Sequence, residues 1–497
     1  MTMKKKILST AVLAAMGIGS AHAVYQSPDG LGEVLLVPYY TVQDGNETIF
    51  AIVNTTDYTK AVKVRFREAY NSREVLDFNL YLSPHDVWTA KVQDDGNGGA
   101  EVVTGDKSCT APAITTAIPF RNFEFTGSKV DNGPTDQSRV REGYIEIIDM
   151  ATGPFQDDSN PPAVWDANDD GHVDTTHING VPENCATMVA NWAPGGAWAT
   201  SASNGVSAPI GGLFGSAAVI NVGVGTEISE PVTTLAGFTN IPIHTFPGSL
   251  LPNLDAAVPV SDVVWNNDVV NEGFSPLMNF STDSWTTGID AVSATLMAVS
   301  AINEYTVNPA VFGETDWVLT FPTKFAYVDQ KDPAGLPDNV LPFSDIFVTT
   351  DASELSPYNN GKACESGVKQ YFDREERFVQ GDVDFSPLPP GSAFEICYEA
   401  NVINFGASDV LASENVDVDF TLVSGFNSGW ASIAFPAETT IGEEAHYMDS
   451  LGGTRFEGLP MVGFRATRIL NSNVGVGAAY AVSDEHKYRR IITVSGS

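Results

Sequence analysis

Val62, Val64 and Phe66 alternate with Lys63, Arg65 and Arg67, the two-residue period of a strand with one apolar face. Leu76, Phe78, Leu80 and Leu82 repeat the pattern against Asp77, Asn79 and Tyr81, and Asn71-Ser72-Arg73 between them reads as a hairpin turn. Upstream, Val34–Tyr40 and Thr48–Asn54 are strand candidates on either side of the turn signal Asp44-Gly45-Asn46. Val87–Val92, Tyr144–Ile148 and Phe214–Val224 continue the series. Farther on come Trp317–Phe321, Phe325–Val328, Phe394–Phe405, Val416–Leu422, Val462–Ile469 and Ile491–Val494. One helix stands out, over Ile289–Ile302: Ile289, Val292, Leu296 and Val299 recur at three- and four-residue spacing, with Thr287 placed to cap it. A shorter helical pattern covers Cys185–Trp192. Strands at short intervals with Gly, Asn and Pro between them predict a mainly β protein, built of antiparallel, Ig-like β-sandwich domains with few short helices.

Between Ala151 and Gly205 the alternation dissolves among Gly153-Pro154, Asn160-Pro161-Pro162 and Gly195-Gly196. A loop of this length inside a compact domain calls for a metal or a cross-link. Within it lies Asp166-Ala-Asn-Asp-Asp-Gly-His-Val-Asp174. Asp166, Asn168 and Asp170 present oxygens at alternate positions, Gly171 permits the sharp bend, His172 would offer its carbonyl, and Asp174 holds the place that often acts through water. Ca²⁺ is a hard cation that takes six or more oxygens, and this order supplies most of them. His177 stands where a full EF-hand loop has its bidentate Glu, so a carboxylate from elsewhere in the chain or from a neighbour must complete the shell. The plain alternative is an Asp/Asn/Gly-rich surface turn without metal.

The compartment bears on that reading. Lys4-Lys5-Lys6, an apolar run from Ile7 to Ile18 and Ala21-His22-Ala23 form a secretory signal peptide, with cleavage expected after Ala23. No later segment is long and apolar enough to predict a transmembrane helix. In an oxidising compartment the four cysteines, Cys109, Cys185, Cys364 and Cys397, predict two disulfides, for which three pairings exist. The chain-local choice is Cys109–Cys185 with Cys364–Cys397, the first enclosing the calcium motif. The predicted organisation is a leader at 1–23, a β-sandwich at 24–150 and a calcium-binding, loop-rich insertion at 151–205. A β-rich region with one helix follows at 206–345, and a second sandwich at 346–497.

Charge narrows the partners. The chain has 26 Lys and Arg against 62 Asp and Glu, a net of -36, and removal of the leader makes it more acidic still. Such a surface repels nucleic acid and attracts divalent cations. With 43% hydrophobic residues it is nonetheless a folding chain. The most basic stretch, Asp484-Glu-His-Lys-Tyr-Arg-Arg490, can pair with a polyanion or a neighbour's acidic surface, or simply be solvated. Catalytic motifs are missing: no His-Glu-x-x-His, no Gly-x-Ser-x-Gly, no phosphate-binding glycine loop. Trp88, Trp165, Trp192 and Trp198 suit sugar stacking or core packing.

Asp29-Gly-Leu-Gly32, Pro38-Tyr-Tyr-Thr-Val42, Ser72-Arg-Glu-Val-Leu-Asp-Phe-Asn79, Leu82-Ser-Pro84 and Asp86-Val-Trp88 resemble segments of an exported surface-layer-type, biofilm-matrix protein family of marine Gram-negative bacteria. Asp316-Trp-Val318, Thr320-Phe-Pro-Thr-Lys324 and Gly458-Leu-Pro460 extend the resemblance toward the C-terminus. It implies a non-enzymatic structural role at the cell surface or outside the cell, with the periplasm as the other location. Self-association or attachment to a cell-surface polyanion would run through calcium. The competing expectation is a secreted, calcium-stabilised carbohydrate-binding protein or hydrolase.

Overall fold

The computed structural model describes residues 22–155, 174–266, 278–329, 341–344, 362–380, 394–413, 416–420, 422, 424–436, 445–471, 474–475 and 478–494. The fold is mainly β, with strands arranged in several predominantly antiparallel sheets. Sheet I runs in the order Tyr25–Gln26, Thr233–Ala236, Val34–Thr41, Glu142–Phe155, Tyr58–Glu68, Glu74–Leu82, Cys109–Ala111. Sheet II runs Thr226–Glu230, Leu213–Asn221, Asn46–Asn54, Val87–Asp94, Ala100–Val103, Ala117–Pro119. Leu35, Val37, Val62, Val64, Phe66, Phe78 and Leu80 of sheet I meet Phe50, Ile52, Trp88 and Val92 of sheet II in one core. Its aromatic rings meet mostly edge to face, as for Phe50 with Phe66 and Trp88.

A second pair of sheets follows. Sheet III orders Phe378–Gln380, Glu365–Asp373, Ser428–Ala434, Ser300–Thr306 and Lys487–Arg489. Sheet IV orders Val416–Phe420, Ala400–Phe405, Gly313–Thr320, Val462–Ile469 and Tyr480–Glu485, with Ala400–Phe405 and Val416–Phe420 parallel. Tyr305, Ala431 and Ile433 of sheet III pack on Trp317, Leu319, Ile403 and Phe405 of sheet IV.

The other face of sheet IV is apolar as well. Val318, Val402, Phe464 and Ala466 pack on Tyr39, Tyr144, Val219 and Ile228 of the first two sheets. Strand Gly313–Thr320 is therefore buried on both sides, which explains its unbroken Trp-Val-Leu run. Across this seam Thr320 Oγ1 donates to Pro38 O at 2.6 Å, and the Glu399 and Ala400 amides both donate to Ala69 O.

The distribution of strands differs from the predicted linear domains. Leu213–Asn221, Thr226–Glu230 and Thr233–Ala236 hydrogen-bond into the N-terminal sheets, while Ser300–Thr306 and Gly313–Thr320 join the C-terminal pair. The region expected at 206–345 thus supplies strands to both sandwiches, because edges left by hairpin neighbours are completed by strands distant in sequence. Two local expectations also change. The helix is Gly288–Leu296, with the Thr287–Asp290 capping box formed, but it stops before Val299. Met297–Ala298 pairs with Leu459–Pro460 and Ser300–Thr306 enters sheet III, so sheet pairing overrides the apolar period. Phe325–Val328 is a short helix rather than a strand, its turn closed by the Val328 amide on Lys324 O at 3.2 Å.

Sheet I departs from the half-exposed strand that its alternation predicts. Lys63, Arg65 and Arg67, opposite the core face, are almost completely buried. The segment Ile241–Leu251 lies over them: Phe246 O accepts from Lys63 Nζ, and Leu250 O from an Arg65 guanidinium nitrogen. Carboxylates neutralise the row, Asp77 at 2.6 Å from Lys63, Glu74 and Glu146 at 2.6 and 2.8 Å from Arg65, and Glu146 at 2.9 Å from Arg67. Gly143 makes the close strand approach beside them, since a Cβ there would sit 1.9 Å from Arg67 O. Close to the first of the described residues, Ala23 and Val24 are buried, and the Val24 amide donates to Val260 O at 2.8 Å.

Candidate functional site

Of the expected calcium ligands, Asp166, Asn168, Asp170 and His172 lie outside the described residues. Asp174 is buried at the start of a small clamp. The Asn184 amide donates to Asp174 O at 2.9 Å, and between them His177–Ile178 pairs with Val181–Pro182. His177 Nδ1 stands 3.7 Å from the Asp86 carboxylate, whose pKa is raised by burial and pulled back by that imidazole.

The clamp is closed covalently. Cys185 at the start of helix Cys185–Ala190 is bonded to Cys109 on the edge strand of sheet I, across 76 residues of chain. Cys364 and Cys397 form the second disulfide. The chain-local pairing is therefore the one present. Among the described residues, the group of potential metal-binding side chains within mutual reach is Cys364, Glu395 and Cys397, and its two sulfurs are already bonded to each other.

Behind the clamp sits an aromatic box. Tyr81 of sheet I stacks on Trp198, with ring centroids 5.4 Å apart, and Trp192 Nε1 donates to Tyr81 Oη at 2.8 Å. His244 closes the box, its Nε2 3.1 Å from Tyr81 Oη and its Nδ1 2.8 Å from Ala202 O. Burial lowers the His244 pKa to about 4, so the imidazole is neutral at pH 7 and the Ala202 carbonyl marks Nδ1 as the protonated nitrogen. Trp192 and Trp198 are thus core residues of the insertion, as is Trp88 of the sandwich; Trp165 lies outside the described residues. The tryptophans were visible in the sequence, but His244 and Tyr81 had no spacing signal linking them to the insertion.

A second polar cluster lies in the seam between sandwiches. Ser72, in left-handed backbone at φ 62°, has its hydroxyl 2.8 Å from Tyr144 Oη and 3.1 Å from Glu399. Burial raises the Glu399 pKa to about 8, against the pull of Lys324 and the Ser72 hydroxyl. Lys324 Nζ is held by the carbonyls of Ala363, Cys397 and Tyr398. Nearby, Arg139 binds Glu68 and Asp131 at 2.9 and 2.5 Å, stacked on Phe125 and Tyr70. A hydroxyl, a carboxyl and a lysine so close resemble a nucleophile with its base. All are walled in, however, Ser72 at 2% exposure and Glu399 at 1%, and their bonds tie one sandwich to the other. His446, too, is enclosed, between Pro342 O, Ser366 O and the Glu365 carboxylate.

These features define a two-sandwich β protein with a disulfide-clamped insertion. Comparison with protein-family models, curated proteins and solved structures finds no match to this chain. No described helix is long and apolar enough to cross a membrane, and the two disulfides fit an oxidising compartment such as that reached by export.

Proposed function

We propose that the chain is an exported, non-enzymatic structural protein of the cell surface or extracellular matrix, acidic and calcium-stabilised, as the surface-layer-type resemblance implies. The observation that supports it best is the bracing of the interior. Two sandwiches share one apolar seam, and the grouped polar side chains described above are spent on internal ion pairs and hydrogen bonds. Such a body is suited to transmitting load between neighbours. Its Ig-like character is proposed from the face-to-face packing of antiparallel sheets alone. The Asp166–Asp174 segment, enclosed in sequence by the Cys109–Cys185 bond, is the proposed calcium clamp, and calcium bridging between acidic surfaces the proposed means of self-association or attachment to a cell-surface polyanion.

Fractionated cells washed with EDTA test the assignment. Release of the protein from the surface, its reassembly into ordered arrays on adding calcium, and loss of both in Asp166→Asn/Asp170→Asn are the expected results. Retention after EDTA with no calcium-dependent assembly would overturn it. Hydrolysis of a polysaccharide by the purified chain would favour the enzyme reading instead.

A further inference from the structure

Lys487–Arg489, part of the basic stretch singled out in the sequence, forms the outer strand of sheet III and faces a cleft of about 820 Å³. The opposite wall is the hairpin of Val260–Asn266 and Met278–Ser284, and Tyr25 and Gln26 contribute from the outermost strand of sheet I. On that hairpin Val264 pairs with Phe280 and Asn266 with Met278. Phe280 and Met278 are 44% and 60% exposed, an apolar face bordering the cleft. Ile302 and Tyr488 extend it on the sheet III side.

Against this apolar lining stands Arg490. Its guanidinium donates to Gln26 Oε1 at 2.8 Å, and among the described residues no carboxylate forms an ion pair with it. By contrast, Arg65, Arg67, Arg73, Arg139, Arg465 and Arg468 each pair with an acid. Burial lowers its pKa to about 10, with Tyr488 and Glu485 opposing the shift. Lys487 and Arg489 add positive charge at the exposed rim; Asp262, already accepting from Thr282 Oγ1 at 2.6 Å, and Glu485 are the acids of the lining.

We propose that this cleft binds an amphipathic anion, with its carboxylate or phosphate head on Arg490 and its alkyl chain along Val264, Phe280 and Met278. A planar guanidinium with unused donors suits either head group, and its desolvation strengthens the bond. The volume falls in the range of small-molecule sites, which are mostly apolar with a few orienting polar groups. An alkyl chain suits the run of Val264, Phe280 and Met278 on the hairpin, with Asn266 and Asp262 at its polar ends. The site is independent of the calcium clamp and of the structural role.

Isothermal titration of the full-length purified protein with dodecanoate, dodecyl phosphate and dodecanol, each below its micelle concentration, tests the proposal. Saturable binding of one or both anions is expected, and the preferred head identifies a fatty acid or a phospholipid-type source. Arg490→Gln should weaken anion binding by at least about tenfold while leaving dodecanol unchanged, because a charge-assisted bond is removed. Phe280→Ser, at an exposed position, should weaken all three ligands severalfold without altering the melting temperature. No binding, equal binding of dodecanol and the anions, or an Arg490→Gln protein that folds and binds unchanged would overturn it.

Discussion

Glu399 offers a direct measurement of what the seam between the sandwiches costs. Its carboxyl is enclosed on every side, accepts a hydrogen bond from Ser72 at 3.1 Å, and titrates at about 8 instead of the ordinary 4.5. The folded state therefore holds this proton more tightly than the unfolded chain does. Linkage then fixes the sign: the contribution to stability is largest below pH 4.5, falls as pH rises through the interval to 8, and is flat above it. At about 1.4 kcal/mol per pH unit over that interval, the loss amounts to about 5 kcal/mol. Glu399→Gln keeps the shape and the acceptor for Ser72 but cannot ionise. Urea unfolding of both proteins at pH 4.5, 7 and 9 gives the test. The variant should match wild type at pH 4.5 and exceed it by about 3 kcal/mol at pH 7 and about 5 kcal/mol at pH 9. A difference that does not vary with pH would refute the reasoning, since the other titrating groups are common to both chains.

Three further outcomes follow from the same structure. Replacing Cys109 and Cys185 by Ser opens a closed loop of 76 residues, which should cost about 4 kcal/mol on the loop-closure model, read as a lowered melting temperature reproduced in wild type by reductant. His244, held neutral with a pKa of about 4, should lose its stabilising effect as pH falls from 6.5 to 4. His244→Gln should therefore be less acid-sensitive than wild type by about 3 kcal/mol over that window in chemical denaturation. Gly143→Ala should destabilise the first sandwich by about 2–4 kcal/mol in urea unfolding, because the added methyl meets the Arg67 carbonyl and the strands must separate.

What the sequence revealed depended on how local the cause was. Val62, Val64 and Phe66 carry their period within one strand, and they point into the core as expected. The Thr287 cap was likewise readable, since the partner Asp290 is three residues away. The burial of Lys63, Arg65 and Arg67 was not, because their cover comes from Ile241–Leu251, about 180 positions along the chain. The same holds for Val299: its helical spacing is genuine, but partners in Pro460 and Ala434 convert the segment to strand. Adjacent cysteines in sequence order paired as the nearest choice, whereas Arg490 gained its interest from its place in the cleft with Gln26 as its hydrogen-bond partner, a property of space rather than spacing.

If the chain is cleaved after Ala23, as its sequence leads one to expect, the position of Val24 bears on when that can happen. With cleavage after Ala23, the scissile bond belongs to two residues that are buried once the sheet has formed, Val24 wedged between Val260 and Asp262 and Ala23 against Gly237. A protease needs that bond extended and accessible, so maturation has to precede closure of the first sandwich. On that expectation the scissile bond lies one residue from the outermost strand of sheet I and on the bridge to the Val260–Asn266 strand, so cutting it and completing the sheet compete for the same stretch of backbone.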